Sequence, residues 1–144
     1  MLRRYREEEA GMSMRATGTF EIGGWDEEPY DEREGAKLPR TRVTKVFRGE
    51  VDGESVADLH IAYGAEEGSA AHAGFERAVG SVHGRSSSFV LHHSATTTRG
   101  KGESSLSVVP DSGTGELRGL RGDARISREP GGGRSFVLDY DLDR

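Results

Sequence analysis

The sequence predicts an all-β protein: a closed, eight-stranded antiparallel β-barrel with one short helical turn near Gly115–Leu120. Three observations predict it. Successive segments alternate apolar and polar residues with period two, as half-buried strands do. The last segment is the clearest, with Phe136, Leu138, Tyr140 and Leu142 facing in and Val137, Asp139, Asp141 and Asp143 facing out. Short turn signals join most of the segments. Their number, about eight, is the one at which an antiparallel sheet closes and removes its edges. An open sandwich is the alternative, but the small residues at strand positions, among 21 glycines in the chain, favour tight curvature.

Taken in order, Met1 to Gly11 is a charge-blocked segment, and residues 1–13 are read as a frayed or disordered tail ahead of a single domain over 14–144. Thr17, Thr19 and Glu21 alternate with Gly18, Phe20 and Ile22, and Gly23-Gly24 ends that strand. Trp25 to Arg40 reads as an acidic loop, with Pro29 and Pro39 as breakers and Trp25, Tyr30 and Leu38 as apolar anchors. Its length makes it a natural lid over one mouth.

Arg42–Glu50 and Glu54–Tyr63 flank Asp52-Gly53, a hairpin signal. A bulged turn with Gly53 in the left-handed position aligns Val43 and Phe47 with Ala57, Leu59, Ile61 and Tyr63, which buries one consistent face. Lys45 then falls on the inner face: a strand-end exception, a lysine snorkelling to the mouth, or a pocket charge. Ser69–Val82 and Arg85–Thr98 form the next hairpin about His83-Gly84, in either of two registers. A two-residue turn sets Gly74, Glu76 and Ala78 beside His93, Leu91 and Phe89. A bulged one sets Phe75, Arg77 and Val79 there.

Between the strands Lys101–Val109 and Gly122–Arg128 lies the glycine-rich stretch Ser112–Gly122. Thr114 is placed to cap one helical turn whose Leu117 and Leu120 plug a sharp corner. Pro130-Gly131-Gly132-Gly133 turns the chain into the last strand.

Composition narrows the function classes. The formal charge of −5, with both signs interspersed, leaves no basic footprint, so no nucleic-acid partner is expected. Without cysteine there is no disulfide framework and no thiolate chemistry. No apolar run approaches a membrane span and the N-terminus has no signal-peptide core, so no membrane partner and a cytoplasmic location are expected.

The corner motif, Gly113-Thr114-Gly115 followed by the gapped pair Gly119 and Gly122, resembles the late motif of allene oxide cyclases and plant dirigent proteins. A broader likeness covers about Met14 to Asp143. Ala16-Thr17-Gly18-Thr19-Phe20, Trp25 to Tyr30, Val43-Thr44-Lys45, Phe75-Glu76-Arg77, Ser88 to His93 and Val108-Val109-Pro110 resemble a bacterial family known as domain of unknown function 3224. The resemblance implies a small barrel with an apolar interior. It also implies homo-oligomers, as those relatives commonly form, but no assigned activity.

Candidate chemistry centres on His93, which shares the apolar face of its strand with Phe89 and Leu91. It is either an acid–base group or a satisfied core histidine. Glu76 lies diagonal to it in the two-residue register, as an acid–base partner or as a structural ion pair. Tyr63, Trp25 and Tyr140 offer aromatic bodies with polar tips for a cavity lining that Phe89 and Leu91 complete, and Lys45 offers a charge for a carboxylate or enolate. His92 and His93 point to opposite faces, and His60, His72 and His83 have no ligand spacing, so neither metal nor cofactor is expected.

Two functions follow as expectations: a cavity holding a hydrophobic small molecule, or a cyclase or isomerase that works by positioning a flexible substrate, which the resemblance implies. A barrel filled by Phe20, Phe47, Phe89, Phe136 and Tyr140, serving only for oligomerisation or interaction, is the third reading.

Overall fold

The computed structural model describes residues 14–142. The tail expected over residues 1–13 and the outward-facing Asp143 lie outside the described residues. Eight strands close in sequence order into an antiparallel barrel. They are β1 (Met14–Arg33), β2 (Ala36–Gly49), β3 (Val51–Gly64), β4 (Ala70–Val82), β5 (Arg85–Thr98), β6 (Lys101–Val108), β7 (Leu120–Arg128) and β8 (Arg134–Leu142), with a 3-10 turn at Gly115–Leu117 between β6 and β7.

The acidic segment Trp25–Arg40 is not a loop. β1 continues through it to Arg33, and the reversal is confined to Glu34-Gly35, with Gly35 at φ 99°. Register shifts at Ile22/Gly24 and Pro29/Asp31 absorb the glycine pair and Pro29 without ending the strand. The acids are matched across the ladder: Asp26 faces Arg42, Glu28 faces Arg40 and Glu32 faces Lys37. A run that looks like a solvated loop in one dimension is one half of a charge-complementary ribbon.

The β2–β3 turn is also displaced from its expected place. Val43 pairs with Ala57 and Phe47 with Gly53, so the inward faces are those anticipated, but the reversal is at Gly49-Glu50, with Gly49 at φ 123°. Gly53 lies within β3, where any side chain would collide with the backbone of Val79 and Gly80 on β4. Glycine there serves a close approach of strands rather than a turn. At β4–β5 the two-residue reading holds: Val82 pairs with Arg85 across His83 (φ 49°) and Gly84 (φ 80°). Both central residues have positive φ, the type I′ geometry that suits the twist of a hairpin.

The helical turn is shorter than expected, and Thr114 does not cap it. Its hydroxyl instead lies 3.1 Å from the Ser88 N–H, which donates to it, and 2.5 and 2.8 Å from the hydroxyls of Ser87 and Ser88. These bonds pin the corner to β5. Leu117 and Leu120, each 1% exposed, plug the end of the barrel there.

The interior divides into two halves. Around the plug, Phe20, Phe47, Val82, Phe89, Leu91, Phe136, Leu138 and Tyr140 form one packed cluster. Phe47 packs between Phe20, tilted to it at 5.2 Å between centroids, and Phe136, edge-to-face at 5.1 Å. The void beside them is about 10 Å³, room for roughly one water molecule. The other half has a smaller cluster, Val43, Ala57, Leu59 and Ile61, backed by Ile22 and Tyr63. Here the wall is incomplete. β8 pairs with β1 only over Met14–Phe20, so β1 beyond Phe20 pairs with β2 alone. β6 meets β7 at a single pair, Ser107 and Asp123.

Candidate functional site

Where the halves meet, four polar side chains from four strands converge inside the barrel. Lys45 follows Val43 on the inner face of β2, Ser55 precedes Ala57 on β3, Glu76 lies two residues from Ala78 on β4, and His93 lies two residues from Leu91 on β5. Glu76 is 1% exposed and its carboxylate is fully occupied. Oε1 accepts from Lys45 Nζ at 3.1 Å and from His93 Nε2 at 2.6 Å, and Oε2 accepts from the Ser55 hydroxyl at 2.5 Å. Lys45 Nζ also lies 4.9 Å from the centre of the Phe20 ring, over its face. Burial favours the neutral acid, but the hydrogen bond from His93, the Lys45 charge and the Ser55 hydroxyl outweigh it and bring the Glu76 pKa down to about 2. Lys45 is thus neither a strand-end exception nor a lysine reaching for solvent. It is half of a buried, hydrogen-bonded ion pair.

Glu76 and His93 stand in the diagonal relation of the two-residue register, with Glu76 opposite Leu91 and His93 opposite Gly74. The His72 ring lies 6.0 Å from that of His93, at 49°. Burial, with the charge that His93 carries when protonated and the charge of Lys45, lowers the His72 pKa and favours its neutral form.

A second constellation sits at the open end. The register shift after Ile22 reverses the parity of β1, so Trp25 faces Val43 and Glu27 faces Thr41 on the inner side. Trp25 Nε1 and Tyr63 Oη both donate to Glu27 Oε2, at 2.9 and 2.7 Å. These bonds hold the Glu27 carboxyl below the usual carboxylate range, while burial and the carboxylate push Tyr63 up to about 12. Thr41 is fully buried, and its hydroxyl has no hydrogen-bond partner. An open groove of about 670 Å³ is lined by the outward-facing Asp26, Glu28, Arg40, Arg42 and Asp58 together with Trp25 and Glu27, and so runs along the outer side of this ribbon rather than over the buried floor.

The structure therefore brings Glu76, His93 and Lys45 together, sets Trp25 and Tyr63 beside one another at the open end, and leaves Phe89, Leu91 and Tyr140 in the packed cluster. The Tyr140 hydroxyl is 2.6 Å from His83 Nδ1 in the β4–β5 turn, at the plugged end. Ser55, Thr41, His72 and Glu27 are participants that sequence reasoning missed. Ser55, Thr41 and His72 share the inward parity of Ala57, Val43 and Glu76, so alternation alone was a sufficient signal. Glu27 was hidden by the bulge. Among the described residues no three His, Cys, Asp or Glu side chains gather to hold a metal ion.

The model of a family described as protein of unknown function (DUF3224) matches residues 16–140. The chain belongs to the DUF3224 family. A crystal structure of a family member of unknown function from Shewanella oneidensis MR-1 is similar to it, with 32% identity and a TM-score of 0.78. The alignment covers 91% of this chain and 98% of that one. No curated protein matches. Family membership thus fixes the barrel and leaves its chemistry to be read from the side chains.

Proposed function

We propose that this barrel binds a small hydrophobic organic molecule in its open half. The ligand rests on the Lys45–Glu76–His93 floor, against the apolar wall of Val43, Leu59 and Ile61 and beneath Trp25 and Tyr63. The observation that carries this reading is the exposure of side chains that face inward. Trp25 is 48% exposed and Ile126, paired with the fully buried Phe136, is 42% exposed. A folded chain rarely leaves an inward tryptophan half in water beside an apolar wall and an unpartnered hydroxyl, unless something else occupies that space. Phe89, Leu91 and Tyr140 support the floor from below in this reading. Native mass spectrometry of protein purified from its source tests it: a co-purifying mass, lost when Ile61→Trp fills the open half, is expected. A bare chain that also fails to take up any apolar compound from a mixed panel contradicts it.

A second reading, isomerisation or cyclisation by positioning, is favoured by one observation, the 2.6 Å contact that orients the His93 ring on a buried carboxylate. Turnover lost in His93→Gln with affinity retained is the outcome that separates it from binding alone.

A further inference from the structure

Glu76 decides which nitrogen of His93 carries the proton. An ionised carboxylate can only accept, so the contact at 2.6 Å requires Nε2 to donate. In the neutral ring Nδ1 is then a bare lone pair. His93 makes no other hydrogen bond among the described residues. The groups around it are Glu76 and His72 from β4, Lys45 from β2, Ser55 from β3, and the apolar Leu106 paired with it on β6. With the ring neutral the cluster has no net charge, because Lys45 cancels Glu76.

We propose that His93 Nδ1 accepts the proton of a ligand bearing an acidic hydroxyl, a phenol or the enol of a carbonyl compound. The inference rests on the open half being the binding site. In the step the ligand O–H bond breaks and an N–H bond forms at Nδ1. The electron pair stays on the ligand oxygen, and the cluster is left with a single positive charge beside the new oxyanion. No further reactant is consumed, and return of the proton restores the start. Lys45 matters because it neutralises Glu76, so the imidazolium charge is not already spent inside the protein. His72, held towards its neutral form, does not compete for the proton.

The test uses para-nitrophenol, whose ionised form absorbs visible light, and Trp25, the single tryptophan, as a reporter of occupancy. Saturable quenching of Trp25 is expected, with the ionisation midpoint of the bound phenol about one pH unit or more below that of the free one. His93→Gln is expected to abolish the shift and to move the saturable quenching to about tenfold higher phenol concentration, the affinity equivalent of one pH unit, while His72→Gln keeps the shift. Quenching without a shift, or a shift that survives His93→Gln, overturns the proton acceptor and leaves the binding site standing. No saturable quenching overturns both. Nitrogen NMR of the unaltered protein gives an answer independent of any variant's folding. In the neutral His93 ring the proton is expected on Nε2, and a neutral ring protonated at Nδ1 contradicts the proposal.

Discussion

The two halves of this barrel are built from the same eight strands and the same alternation, yet they solve opposite problems. The plugged half excludes water with aromatic rings, two leucines and a corner pinned by Thr114. The open half leaves Trp25 and Ile126 exposed, holds a buried ion pair on its floor and joins β6 to β7 by a single ladder pair. The difference lies in strand length rather than composition. β1 runs on for thirteen residues past its last partner on β8, from Glu21 to Arg33, and what it encloses beyond Phe20 has no wall on that side.

Substitutions at the floor and in the packed half break this comparison most severely. Glu76→Leu leaves Lys45 buried and unpaired and should cost about 3–5 kcal/mol in urea denaturation. The double variant Glu76→Leu with Lys45→Met should recover much of that loss, since removing both charges also removes their desolvation cost. Phe136→Ala, in the packed half, should also cost about 3–5 kcal/mol, with no such rescue.

The acid limb of stability comes next. The Glu76 pKa is about 2 in the folded protein against an ordinary 4.5, so its contribution is complete above about pH 4.5 and drains away as the pH falls towards 2. Thermal melts across that window should show a steeper acid slope for the native protein than for Glu76→Gln. Parallel slopes would place the Glu76 charge outside the stability account.

Thr41→Val should raise stability by about 1 kcal/mol, because it removes a buried hydroxyl with no partner in the empty protein. It should also weaken any ligand that satisfies that hydroxyl. The smallest effect is expected at the rim, where Trp25→Ala should change stability by no more than about 0.5 kcal/mol. A large loss there would mean that the open half is held together as tightly as the plugged one.

Much of this architecture was legible in the sequence, and the exceptions share a cause. Alternation places Val43, Phe47, Ala57, Phe89, Leu91 and Phe136 on the inner face whatever the turn positions, because burial has period two. Turn positions were harder. Asp52-Gly53 has the composition of a hairpin, but Gly53 is needed for strand proximity and Gly49 makes the reversal. Trp25–Arg40 has the composition of a loop, yet its acids are answered by Arg42, Arg40 and Lys37 some five to sixteen residues away in sequence, a pairing visible only once the register is known. At the site, the diagonal relation of Glu76 and His93 followed from one of two registers. The Trp25–Glu27–Tyr63 contact depends on a bulge that reverses strand parity, and local sequence does not announce a bulge of that kind.

The most direct test of the open half as a binding site is a titration with anilinonaphthalene sulfonate, following the emission of the probe and of Trp25 together. We expect one probe per chain, a saturable change in both signals, and loss of both in Ile61→Trp while Leu91→Met in the packed half leaves them intact. Probe binding that leaves Trp25 unchanged and survives Ile61→Trp would contradict the division of the barrel into a filled half and a receiving one.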